Sequence, residues 1–431
     1  MMSNETPVPV VLGSVPIETA DSLATSIRSR VGQGRLGTAL FIAGLGWVFG
    51  NAALTNVLLA AKVAIIAPDA KVAVLGATTA LSAIAVTIAL FVWGAISDLT
   101  RSRFGRRNPF VLIGAIGAVV FLGLLSISSS LPMLILSYLG YGLTFNALPA
   151  ALLAVFPDRI PRDKRGTASA VYGGAQTLGG ALATIIASRF IVNPDPFLFA
   201  GGFVILISAV LFLVLAPDFS NVDQAREKLD VRSLLGAFKF PKKAPDFYWA
   251  FVGRFAILFG GAMISTFQLY ILTDYIHLDA TEAGSTIAFA GVAALATIVI
   301  ATITAGPISD KIGRRKAPIF LASLMFGVSF LLPVIWPTAT AIIISSAISG
   351  LGLGAFLSVD SALMTEVLPS EESRGKDLGI LNTANTVPQV VAPLVTSLVV
   401  GAGFGYPPVY LAALVVTVFG AFSIFKIKSV R

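Results

Sequence analysis

Cysteine is absent, histidine occurs once and charge is scarce. Without cysteine there is no disulfide scaffold, thiol nucleophile, zinc–thiolate or iron–sulfur site, and His277 alone cannot build a multi-histidine centre. No metal and no cofactor are therefore expected. Charged residues make up 12% of the chain, roughly half the share of a soluble globule. The phosphate-binding pattern G-x-x-x-x-G-K-[ST] is missing, which excludes nucleotide hydrolysis by this chain as a source of energy. Before residue 36 the sequence holds Glu5, Glu18 and Asp21 and no apolar core, so it does not read as a cleaved leader; a cytosolic tail over 1–35 is expected.

What is abundant is hydrophobic sequence, 56% of 431 residues, with a mean hydropathy of +0.88. Apolar runs bounded by charge, proline or glycine cover 36–61, 72–97, 109–127, 131–156, 166–188, 197–217, 247–271, 284–306, 317–335, 338–364, 378–400 and 407–425. Each approaches or exceeds the roughly 20 residues a membrane-spanning helix needs. The expected fold is an all-α integral membrane protein with twelve spans. Residues 218–246, with mixed charge, divide them six and six, giving bundles over 36–217 and 247–431 joined by a linker.

Basic residues orient the chain. With a cytosolic N-terminus, all but four of the 30 lysines and arginines fall in cytosolic segments; Lys62, Lys71 and Arg189 lie outside them and Arg254 lies within a span. The net charge of +8 then faces anionic lipid of the inner (plasma) membrane. Nucleic acid need not be invoked, and both termini are expected to be cytosolic.

The two halves repeat. Gly94-Ala-Ile-Ser-Asp98 and Gly105-Arg106-Arg107 follow span 2, and Gly306-Pro-Ile-Ser-Asp310 and Gly313-Arg314-Arg315 follow span 8, so Asp310 trails Asp98 by 212 positions. Asp158, Pro161 and Arg165 after span 4 match Glu366, Pro369 and Arg374 after span 10, at offsets of 208 and 209. Two motifs at nearly one offset indicate a duplicated six-helix unit. Gly94 and Gly306 suit close helix approach, and Asp98 and Asp310 suit a neighbouring helix N-terminus. The arginines are also compatible with simple anchoring at the headgroups.

These loops resemble the signature of the major facilitator superfamily (MFS), and the resemblance extends over the chain from about residue 36. It implies two pseudo-symmetric six-helix bundles around a cavity that opens alternately to each side, with Asp98, Arg106, Arg107, Asp310, Arg314 and Arg315 in a cytosolic gate. Asp158 with Arg165 and Glu366 with Arg374 join that gate, or simply solvate helix ends. The longer first loop, Asp98 to Phe110, is similar to the sucrose and glycoside–cation symporter branch. Span 5 carries Gly173 to Gly180, which ends like the family's antiporter signature but has Ala175-Gln176 where that signature has Gly-Pro.

Two ionisable residues sit well inside spans, Arg254 and Asp360, each about 10 Å deep at the helical rise per residue. Intramembrane charge is costly and usually functional. Asp360 is expected to couple transport to protons, with Arg254 as partner; a permanent structural ion pair is the alternative. The cavity wall expected from the resemblance is polar and nearly uncharged: Asn51, Asn56, Tyr141, Asn146, Tyr172, Gln176, Gln268, Tyr270, Ser358, Asn382, Asn385 and Gln389. Amides pair with vicinal hydroxyls and aromatic faces with sugar C–H groups, although such groups also join helices. The expected activity is proton-coupled symport of a small neutral, sugar-like solute by a monomer in lipid. A multidrug or metabolite exporter is the competing reading. An intramembrane enzyme would need a deep cluster of acids, histidines or serines, which is missing.

Overall fold

The computed structural model describes residues 32–218, 220–222, 241, 244–367 and 374–428, excepting a few helical side chains, Glu366, Arg374 and Asn382 among them. The described residues contain no strand and twelve helices long and apolar enough to span a bilayer. They are α1 (Gln33–Ile66), α2 (Pro68–Leu99), α3 (Asn108–Ser126), α4 (Leu131–Phe156), α5 (Arg165–Phe190), α6 (Asp195–Leu215), α7 (Pro245–Ser265), α8 (Ala280–Ile312), α9 (Lys316–Ile335), α10 (Ala339–Asp360), α11 (Thr383–Phe404) and α12 (Pro407–Lys426). The helix of α10 continues to Glu366, and that of α11 starts at Arg374.

Each coincides with an apolar run in the sequence, and the differences have local causes. At the start of α8, the Asp279 carboxylate accepts the N–H groups of Thr281 and Glu282, both at 2.8 Å. That cap lengthens the helix beyond the expected 284–306, until Gly313, at φ +66°, stops it. Ser265 ends α7 early: the chain turns at Phe267, then resumes as Gln268–Tyr270 and a widened turn, Ile271–Tyr275. A similar widened turn, Leu54–Leu58, sits inside α1. Asn146 interrupts α4. Helices that are apolar all round carry little periodic signal, so these breaks do not show as gaps in hydropathy.

Packing gives two six-helix bundles. In the first, α1 packs on α5 and α6, and α3 on α4 and α6; in the second, α8 packs on α10, α7 on α11 and α12, and α9 on α10 and α12. The bundles meet through α2 against α11 and α5 against α8. At these crossings, a side chain on Gly76 would collide with Ser397, and one on Gly284 with the backbone carbonyl of Ser188. Both lie at the end opposite the arginine-rich loops. Toward the basic end the same helices lose cover: α8 is repeatedly buried from Ala283 to Ala290, and then only at Ala301 and Ser309. The bundles are closed together at one end and part toward the other.

Candidate functional site

Arg107 organises the first basic loop. It is nearly buried, and its guanidinium donates to Asp98 at 2.8 Å, Asp158 at 2.9 Å and the Ser97 hydroxyl at 2.5 Å. Arg106 adds a bond to Asp98 at 3.1 Å. Gly105 has φ +87°, and a side chain there would strike Asp218, whose carboxylate accepts the Arg107 N–H at 3.2 Å. Glycine is required on both counts. Asn221 clips the same loop, accepting from Ser102 N–H and donating to the Thr100 carbonyl, both at 2.9 Å. Asp218 and Asn221 fall in the stretch read from sequence as linker, and no sequence signal marked them. Arg159 donates to the carbonyls of Ala216 and Pro217 at the end of α6; burial lowers its pKa, while Asp218 and Asp158 oppose that shift.

In the second half, Arg315 donates to Asp310 at 2.7 Å, Arg314 is exposed and Gly313 takes the left-handed conformation. Arg165 donates to the Ile160 carbonyl at 3.1 Å. Two expectations change. Gly94 faces open space, with nothing among the described residues within 4 Å of an added side chain, whereas Gly306 does meet Ser358; the basic end has parted, so that face of α2 is left uncovered while the neighbouring Trp93 stays bonded to the Leu143 carbonyl within its own bundle. Asp98 and Asp310 accept from arginine side chains, and Asp218 is the acid that takes a backbone N–H. Glu366 and Arg374 lie outside the described side chains.

At membrane depth, Arg254 on α7 donates to Asp360 on α10 at 2.6 Å and to Asn385 on α11 at 2.7 Å. The carboxylate side chain is 3% exposed and the guanidinium 15%. Among the described residues this is the ion pair farthest from helix ends, and the two charges that matched in depth are in contact. Asn385 positions the cation here.

The remaining amides and hydroxyls are unequal. Tyr141 is buried, stacks on Phe145 with ring centroids 4.7 Å apart, and donates to Asn51 at 3.1 Å. Trp47 donates to the Tyr172 hydroxyl at 3.0 Å and packs against Phe145. This joins α1, α4 and α5 in an amide-and-aromatic wall, with Gln176 half-buried one turn beyond Tyr172. Exposed Asn56 donates to Thr184 at 3.1 Å. Gln268 is half-buried and Gln389 exposed; Asn382 lies outside the described side chains. Three candidates are tied to the backbone: Asn146 donates to the Gly142 carbonyl at 2.6 Å, Ser358 to the Thr302 carbonyl at 3.2 Å, and Tyr270 across the bundles to the Ala60 carbonyl at 2.8 Å.

Sequence reasoning missed the closed end. Lys71 at the start of α2 forms an ion pair with Asp274 in the other bundle at 2.6 Å and stands 5.0 Å over the Tyr270 ring. Tyr406 donates to the other Asp274 oxygen at 3.3 Å; burial, then the Asp274 charge, pushes this phenol's pKa up, which keeps it a donor. Lys62, buried, pairs with Asp195 at 2.6 Å and donates to the Ser126 carbonyl at 2.8 Å. The available signal was the set of lysines that break the charge bias.

Known proteins add context. Residues 36–298 and 250–430 match the family description Major Facilitator Superfamily. The Fujikurins efflux protein of Gibberella fujikuroi is 27% identical over 350 residues, covering 77% of this chain and 70% of its own. The Multidrug resistance protein MdtG of Citrobacter koseri is 24% identical over 337 residues, 76% of this chain and 78% of its own. A variant of the nucleoside transporter NupG superposes with a TM-score of 0.69 at 16% identity, covering 91% of this chain and 99% of that one. The D-xylose–proton symporter gives 0.66 at 16% identity, over 92% and 98%. At such identities the structural likeness speaks for the fold alone.

Proposed function

The chain belongs to the Major Facilitator Superfamily, a multi-pass membrane transporter and not an enzyme, and from that premise we propose that it is a proton-coupled symporter of a small neutral, sugar-like solute. The observation that carries this reading is the Arg254–Asp360 pair, held by Asn385 and spanning α7, α10 and α11. Protonating Asp360 removes the charge that pairs with Arg254, and a buried cation without its partner is driven to seek another acceptor. A solute hydroxyl can serve, which links proton and solute occupancy. The neutral wall of Asn51, Tyr141, Trp47 and Tyr172 supports a polyol over an anion, and the first loop's similarity to the glycoside–cation branch points the same way.

In this reading the bundles are 36–217 and 247–431, and 218–246 and both termini lie in the cytosol beneath a plasma membrane. The basic end then faces the cytosol, and the bundles rock about the central site to expose it alternately. The loop pairs of Arg107 and Arg315 stay within their own bundles in this arrangement; in the opposite one they gate the cytosolic side.

A second reading, export driven by proton entry, is favoured by the efflux protein and the multidrug resistance protein among the relatives. Proteoliposomes loaded with a pH dye and challenged with a sugar panel and with lipophilic cations separate the two. The expected result is proton entry driven by a sugar in wild type and lost in Asp360→Asn. Proton movement with cations alone replaces symport by exchange, and unaltered coupling in Asp360→Asn removes the role of the carboxylate.

A further inference from the structure

Beside the Arg254–Asp360 pair lies a cavity of about 10 Å³ bounded by α7, α9, α10 and α12. That is room for one water, which needs several polar partners to stay. The wall supplies them: Arg254, Asp360 and Ser423, and among the described residues no other charged side chain lines the space. Asp360 gives Oδ2 to Arg254, and Arg254 uses Nη1 on Asp360 and Nε on Asn385. The Ser423 hydroxyl donates to the Gly420 carbonyl at 2.7 Å, so its lone pairs stay available. A carboxylate in a residue only 2% exposed gains from each further donor. A water here can donate to the Asp360 carboxylate and to the Ser423 hydroxyl at once.

The wall also has a direction. From the ion pair it runs to the basic-end rim, where Ile319 in the first turn of α9 and Ile424 and Ile427 at the end of α12 close it. Asp360 is the less accessible member of its pair. Arg254 and Asn385 therefore make the more open face, and the carboxylate turns inward.

We propose that this cavity is a water site and that, in this state with the basic end parted, the proton exchanges between Asp360 and the basic-end side through it, inside the second bundle, by a route separate from the solute pathway. The inference rests on the reading of Asp360 as the coupling carboxylate.

Infrared difference spectroscopy of the reconstituted full chain tests it with no solute present. Comparison with Asp360→Asn identifies the Asp360 carboxyl band at acid pH, and a switch from H2O to D2O times its exchange. In Ser423→Ala exchange slows by about tenfold, the rate equivalent of roughly one lost hydrogen bond; in Ile427→Ser, which thins the apolar plug, it quickens. Opposite shifts are not what general loosening of the bundle produces. Equal rates in wild type and both variants overturn the route and leave the coupling role standing. If no band lost in Asp360→Asn appears as pH falls, the coupling reading itself fails, and the route with it.

Discussion

Two arginines at matching places in the repeat make unequal contributions. Arg107 is buried with its side chain 8% exposed and bridges Asp98, Asp158 and Ser97, whereas Arg315 faces an Asp310 that is 66% exposed. Solvent weakens the second pair far more than the first. Arg107→Ala is expected to lower stability by about 2 kcal/mol, and Arg315→Ala by about 1 kcal/mol or less, read as midpoints of thermal unfolding in detergent. Arg107→Lys should recover little, because an ammonium cannot span two carboxylates as a planar guanidinium does; full recovery would show that charge alone matters. At this scale the sequence was partly legible. Equal depth in two apolar runs anticipated that Arg254 and Asp360 could meet, since few partners exist for a charge in lipid. The fate of Asn146, Ser358 and Tyr270 was hidden because their partners are backbone carbonyls, which every residue offers.

Among the elements, α2 against α11 and α5 against α8 hold the closed end, and Lys71–Asp274 ties α2 to the extension of α7. Lys71→Ala leaves Asp274 without its ion pair and weakens that end. The native chain has no cysteine, so spin labels at Asp69→Cys and Leu278→Cys report the separation cleanly. Lys71→Ala is expected to add a population at longer distance, and an unchanged distribution would make the pair incidental. Gly284→Val should do the same more strongly, since its side chain meets a backbone carbonyl that cannot rotate away. The spans themselves could be read from sequence because bilayer thickness fixes their length. The widened turns in α1 and after α7 could not, because they change helix pitch without changing polarity. The latch was obscured because Lys71 and Asp274 lie 203 positions apart in sequence, and nothing local ties one to the other.

For the whole molecule, the basic end is expected to face the cytosol. Single substitutions place this on trial: Arg103→Cys in intact cells should resist a membrane-impermeant thiol reagent, and Trp336→Cys, between α9 and α10, should react. The reverse pattern inverts the topology. The duplication was visible as repeated loop motifs, whereas which end stands closed depends on contacts between halves that neither motif contains.

The length of α8 sets the mechanical scale of any rocking. Its 33 residues make a rod about 50 Å long, against a hydrocarbon layer of about 30 Å, so its tips stand beyond the fulcrum on both sides. A lean of about 10° about its midpoint carries each tip some 4 Å, in opposite directions, a rotation of the order known for subunits. Such a lever tears a cross-bundle bond such as Lys71–Asp274, whereas Arg254–Asp360 and Arg315–Asp310, riding on one rigid body, travel as passengers.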